Sequence, residues 1–202
     1  MNNDSSEQAL DDSMRLFWQR GYFNTSIDAL VKVSRFNRAT IYQRYGGKQG
    51  FFIAMLERYW AQRSQHAFNI LSKDEAGLTA IRQFLDSFIE KSERGMLKHG
   101  CFYIATASEL PSHQQQIQQR IHQFIASLRD LFYLALERSK RKGVLKMGVD
   151  SNACADFLVA NIFGLLSLSR AEHQTSRVKG QISMLQDFLS TLCVNDSMNN
   201  NR

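Results

Sequence analysis

"GYFNTSIDALVKVSRFNRATIYQRYGGK", residues 21–48, holds two helix starts, two helix stops and a concentration of positive charge. Gly21 closes whatever helix precedes it. Thr25 and Ser26 are suited to cap the orphan N–H groups of a helix that turns Ile27, Leu30 and Val31 inward and ends near Val33. Asn37 offers a second cap, opening a short helix with Ile41 and Tyr45 on its inner stripe, which Gly46 and Gly47 close. Between Leu30 and Gly50 the chain carries Lys32, Arg35, Arg38, Arg44 and Lys48 and no Asp or Glu. Charge alone describes many solvated helix faces. Charge on the second of two short helices joined by the turn "VSRF" describes a helix-turn-helix.

On that reading the second helix enters the major groove of DNA. With Ile41 and Tyr45 facing inward, Arg38, Ala39, Thr40, Tyr42, Gln43 and Arg44 are left on the DNA side. Arg38 and Gln43 have the chemistry to read base edges.

Working outward, Leu10, Met14, Phe17 and Trp18 recur at the spacing of one buried helix face, predicting a helix from about Ser6 to Arg20. From Lys48 a longer helix should run through Phe51, Met55 and Tyr59 toward Ile70, with "SKDEAG" as the next break. Helices are then expected over about Gly77–Ser92, Gly100–Leu110 and Ser112–Arg141. The last of these has a packing seam of Ile117, Ile121, Phe124, Leu128, Leu131 and Ala135, and Gly143 lies just past its end. Two more are expected over about Ser151–Arg170 and Val178–Val194. With a single proline, Pro111, and no evenly spaced turn clusters, the fold class is all-α. The division expected is a three-helix DNA-binding domain over 1–48, a larger helical regulatory and dimerisation domain over 49–195, and a disordered tail over 196–202.

Composition narrows the function. The chain has 202 residues, 44% hydrophobic, with a net charge of +6 and a pI of about 9.4, which favours an anionic partner without naming it. The polar start "MNNDSSEQALDD" has neither the basic nor the apolar region of a secretory signal. The apolar stretch Phe157–Ser169 is shorter than the roughly 20 residues of a bilayer span. A cytoplasmic protein with no membrane partner is therefore expected. Cys101, Cys154 and Cys193 are widely spaced with no CxxC pair, so neither disulfides, metal nor cofactor is expected. His99, Cys101 and Glu109 are the nearest thing to a catalytic grouping, but residues two apart on a helix diverge, and no phosphate loop or nucleophile motif accompanies them; no catalytic residue is assigned.

Residues 9–56 resemble the DNA-binding region of the tetracycline-repressor (TetR) family of transcriptional regulators: a glycine and an aromatic, a Thr–Ser pair, a hydrophobic helix, a tight turn, and a recognition helix ending before a lysine. The resemblance implies phosphate contacts from Thr25 and Ser26, backbone contacts from Thr40 and Tyr42, a further one from Lys48, and Arg38, Ala39, Gln43 and Arg44 nearest the bases. It implies a repressor that binds an inverted-repeat operator in double-stranded DNA as a homodimer and is released by a small-molecule effector. One departure stands out. The family turn usually reads Ala-Gly-hydrophobic, whereas this chain has Ser34, Arg35 and Phe36; a non-glycine held at positive φ costs roughly 1 kcal/mol, and Arg35 would add a phosphate contact.

The second half offers a dimer face and a sensor. Phe157, Leu158 and Leu165 on one helix, with Leu185, Phe188 and Leu192 on the last, need cover on more than one side, from either a deeper core or a partner. The resemblance implies a four-helix dimer interface. It also implies an effector pocket in the aromatic region that includes Phe84, Phe88, Phe102, Phe124 and Phe132, with Thr106, Asn161 and His99 as polar candidates; plain core is the alternative. "KHGCFYIATASEL", 98–110, resembles a helix start in a subset of the family, some of whose members sense electrophiles or oxidants through cysteine. Cys101, beside Lys98 and His99, is the thiol expected to be reactive, unless it is an inert core residue.

Overall fold

The computed structural model describes residues 3–73, 75–109 and 115–194, leaving aside the side chains of residues 3, 4 and 63–67. Its helices are α1 (Asn3–Arg20), α2 (Ile27–Ser34), α3 (Arg38–Tyr45), α4 (Lys48–Tyr59), a π-helical turn over Trp60–Ser64, α5 (Gln65–Ser72), α6 (Leu78–Glu93), α7 (Phe102–Glu109), α8 (Gln115–Arg141), α9 (Ser151–Ala171) and α10 (Thr175–Thr191). Among the described residues the only sheet-like pairing is a bridge between Leu145 and Cys193. The all-α class is as expected. The expected tail over 196–202 lies outside the described residues, as do residues 110–114 where the long helix was expected to begin.

The chain forms two compact units, Met1–Gln65 with His99–His122 and His66–Lys98 with Gln123–Arg202. In the first, α1 packs on α2 and α4, and α3 packs on α4. Met14, Phe17 and Trp18 are buried as their spacing predicts, and Phe17 meets Phe51 and Phe52 edge-on with ring centroids 6.3 and 4.9 Å apart. Such aromatic pairs contribute beyond the area they bury. Arg58 on α4 donates to Asp11 at 2.7 Å and pairs with Glu7, fastening the outer end of α1.

The second unit is built on α6 against α10, with α9 beside α10. Phe84 lies edge-on to both Phe88 and Phe132. Arg82 reaches across to Gln186 at 2.7 Å and Ser190 at 2.9 Å. The buried α8 positions are Ile117 and Ile121 in the first unit and Phe124, Leu128, Phe132, Ala135 and Leu136 in the second. Leu131 is half-buried, and Phe132 takes the inward place expected of it, because a straight helix of 3.6 residues per turn drifts out of a 3.5-residue pattern. The helix ends as Gly143 predicts: the Gly143 and Val144 amides donate back to the Lys140 and Ser139 carbonyls, both at 2.9 Å.

At 21 residues α9 is longer than its apolar run, and by length and apolarity alone it would pass for a bilayer span. Its apolarity has a packing reason, since Leu158, Ile162, Leu165 and Leu166 are buried in its unit.

Candidate nucleic-acid interface

Three helix starts, those of α2, α3 and α4, lie in the first unit. Ser26 caps α2 by accepting from the Ala29 amide at 3.1 Å, and Asn37 caps α3 by accepting from the Thr40 amide at 2.7 Å and its hydroxyl at 2.9 Å. The third start, at α4, has no side-chain cap at all. Instead Gly50 lets it close on α3, for a Cβ there would fall 1.7 Å from the Tyr45 carbonyl oxygen.

The turn between α2 and α3 takes the strained form its sequence implies. Arg35 sits at φ 58, the sole non-glycine at positive φ among the described residues, and its amide donates to the Val31 carbonyl at 3.0 Å. Buried Ser34 accepts from the Phe36 amide, and buried Phe36 pins the turn to Phe51. The Arg35 side chain is left exposed, because the packing holds the residues on either side of it.

Ile41 anchors α3, fully buried, while Tyr45 is half-buried with its ring 4.6 Å from Phe51. Asn37, Arg38, Ala39, Tyr42, Gln43 and Arg44 are exposed and Thr40 half-exposed, all but Ala39 carrying a polar group. The Arg44 guanidinium lies 5.9 Å from the Phe36 ring centroid. Lys48 extends over the Tyr22 ring at 4.4 Å. Burial lowers the Lys48 pKa, and the charge of Glu109 on α7 opposes that shift.

Two expectations change in the folded chain. The basic stretch is not wholly uncompensated: Asp28 on α2 pairs with Arg38 through a contact between two well-exposed side chains. Spacing ten residues apart hides this partner, which only the crossing of α2 and α3 reveals. Thr25 does not share the outward aspect of Ser26. It is buried and its hydroxyl donates to the Gly21 carbonyl at 2.7 Å, so it holds the α1–α2 turn rather than facing a ligand.

The sensing candidates do not form one site within either unit. Cys101, Phe102 and Thr106 belong to the first unit, Phe124 and Asn161 to the second. Phe102 is core, packed on Trp18, Phe52 and Tyr59. Buried Thr106 donates to the Phe102 carbonyl, and Phe124 lies between Phe68 and Phe163. Asn161 donates to the Phe157 carbonyl and borders an outer groove. Cys101 is buried, and burial pushes its thiol pKa up, although hydrogen bonds from Ile104, Tyr59 and Tyr103 pull the other way. Of the two readings of Cys101, a reactive thiolate and an inert core residue, burial favours the second, because loss of water outweighs a helix start. The same burial, with Cys101 nearby, pushes Tyr103 to about 12.

The dimer candidates separate by depth. Leu158, Leu165 and Leu185 are buried within their own unit and Leu192 is half-buried. The outward surface of α9 and α10 is Phe157, Leu168 and Met184, the last 69% exposed, with Phe157 and Phe188 in ring contact at 4.6 Å. Between them lies a groove of about 270 Å³, walled by Ala160, Asn161, Gly164 and Gln181 and floored by Leu165 and Leu185.

Similarity to known proteins runs through both units. Residues 9–55 match the bacterial regulatory proteins, tetR family, and residues 77–185, over half the chain, match the tetracyclin repressor-like C-terminal domain. The HTH-type transcriptional repressor ComR of Escherichia coli K12 is 26% identical over 167 residues, 82% of this chain and 79% of ComR. A TetR transcriptional regulator from Chloroflexus aurantiacus superposes with a TM-score of 0.81 at 21% identity, covering 94% of this chain and 96% of that one. A cysteine mutant of the TetR family regulator CifR, complexed with 26 bp double-strand operator DNA, superposes with a TM-score of 0.73 at 22% identity, covering 90% and 94%. With both of its units matched, the chain belongs to the tetR family of bacterial regulatory proteins.

Proposed function

We infer that this protein is a sequence-specific, DNA-binding transcriptional repressor, released from its operator by a small effector or by thiol modification. The observation that carries the reading is α3: a capped, exposed, basic helix without an acidic residue, anchored by Ile41 and flanked by a strained turn that leaves Arg35 outward. That ComR is a repressor and that CifR is complexed with operator DNA support it.

The division of labour follows from exposure. Residues 1–48 form the DNA-binding domain and 49–195 the regulatory and dimerisation domain. Ser26, Arg35, Thr40, Tyr42 and Lys48 hold phosphates, while Arg38, Ala39, Gln43 and Arg44 face base edges. Thr25 has no part in contact. A single recognition helix reads few base pairs, so two are set about one helical turn apart on an inverted repeat by a homodimer. Phe157, Leu168, Met184 and Phe188 form its seam, with Leu165 and Leu185 beneath. The effector occupies the regulatory domain and acts by binding the released conformation more tightly. Such a regulator works in the cytoplasm, where its DNA is. No catalytic role is assigned, since in the one grouping that suggests one Glu109 accepts from the Tyr22 amide and Cys101 is buried.

Selection of bound duplexes from a random DNA pool, at about 0.15 M salt, tests this. An enriched inverted repeat is expected. Salt-sensitive retention without enrichment would show that the basic face serves an acidic partner of another kind, as an adaptor would.

A further inference from the structure

Glu109 ends α7, yet its carboxylate lies at the α1–α2 turn. Oε2 accepts from the Tyr22 amide at 2.7 Å. A Cβ at Gly21 would fall 1.9 Å from Oε1, so the turn is shaped around this carboxylate. Lys48 approaches the same turn, its ammonium 4.4 Å from the Tyr22 ring centroid and within the electrostatic reach of Glu109. Carboxylate and ammonium thus meet the same residue, Glu109 at the Tyr22 amide and Lys48 over the Tyr22 ring.

We propose that Glu109 is a positioning residue for DNA binding that acts with two opposite signs: its oxygen holds the Gly21–Tyr22 turn leading to Ser26, while its charge competes with DNA phosphate for the Lys48 ammonium. This rests on the reading of the α2–α3 face as the DNA interface. The two contributions separate by substitution. Glu109→Gln keeps an acceptor for the Tyr22 amide and removes the charge. Glu109→Ala removes both.

The experiment measures affinity for the selected duplex and for an unrelated duplex at pH 7 across a salt series, using the full chain, E109Q, E109A, K48M and the E109Q/K48M double variant. E109Q is expected to tighten binding to both duplexes about two- to fivefold, the range a weak charge–charge interaction near the surface supports, and to steepen the salt dependence. E109A should bind more weakly than E109Q, since its turn is unsupported. With Lys48 replaced by Met, E109Q should change nothing. If E109Q leaves affinity and slope unaltered, or tightens binding equally without Lys48, the competition is absent. A wild-type chain that prefers no duplex at any salt overturns the DNA reading itself, whereas normal wild-type selectivity with an inert E109Q overturns this inference alone.

Discussion

Arg35 combines two demands that usually fall to different residues. The turn needs a left-handed conformation, which glycine adopts freely, and the face beyond it offers a place for a cation. Arg35→Gly should therefore separate stability from function. It is expected to stabilise the fold by ~1 kcal/mol, seen as a higher melting midpoint, and to lower the salt slope of DNA binding by about one. Cys101 carries a different residue-scale expectation. Because its pKa is raised, the thiolate is scarcer than in a free thiol at any pH below the shifted value. Half-buried Cys193 should react first with a thiol-specific disulfide reagent at pH 8, and Cys101 should react only once denaturant opens the unit. Fast native labelling of Cys101, located by mass spectrometry, would contradict this.

The elements were legible where local chemistry decides them. Ser26, Asn37, Gly46 and Gly143 each mark a boundary with their own side chain or backbone, and the observed ends of α2, α3 and α8 follow them. Where burial depends on the phase of a long helix or on a distant neighbour the pattern misleads. Phe132 rather than Leu131 turns inward, and Thr25 faces its own turn while adjacent Ser26 faces out. The pairing of Arg38 with Asp28 and the reach of Glu109 to Tyr22 arise from helix crossings that no spacing encodes. The same crossings make Gly50 a sharp test. Gly50→Ala places a methyl carbon against the Tyr45 carbonyl, so α3 and α4 must part. A loss of about 1–3 kcal/mol is expected in denaturant melts, with weaker binding to every duplex.

At the scale of the whole molecule, the proposed homodimer rests on apolar side chains on the outer surface of α9 and α10. Leu168 and Met184 are well exposed, while Leu158, Leu165, Ile182 and Leu189 already serve the unit's own core. Leu168→Glu with Met184→Glu should leave helicity intact by circular dichroism and yield monomers by light scattering. Affinity for an inverted repeat should then fall to that for a half-site. Deleting α9 and α10 would be a poorer test, because α10 also covers α6. The pair of Arg38 and Asp28 bears on how such a dimer finds its site. A regulator scanning a chromosome must release wrong sequences quickly, and a bare arginine on the reading helix would cling to every stretch of backbone it passed. Arg38 is already engaged by Asp28 in a weak, solvent-exposed contact, so on the proposed DNA reading it presents no bare cation: ordinary phosphate must compete with Asp28 for the guanidinium, and a correctly placed base is the better partner that displaces it.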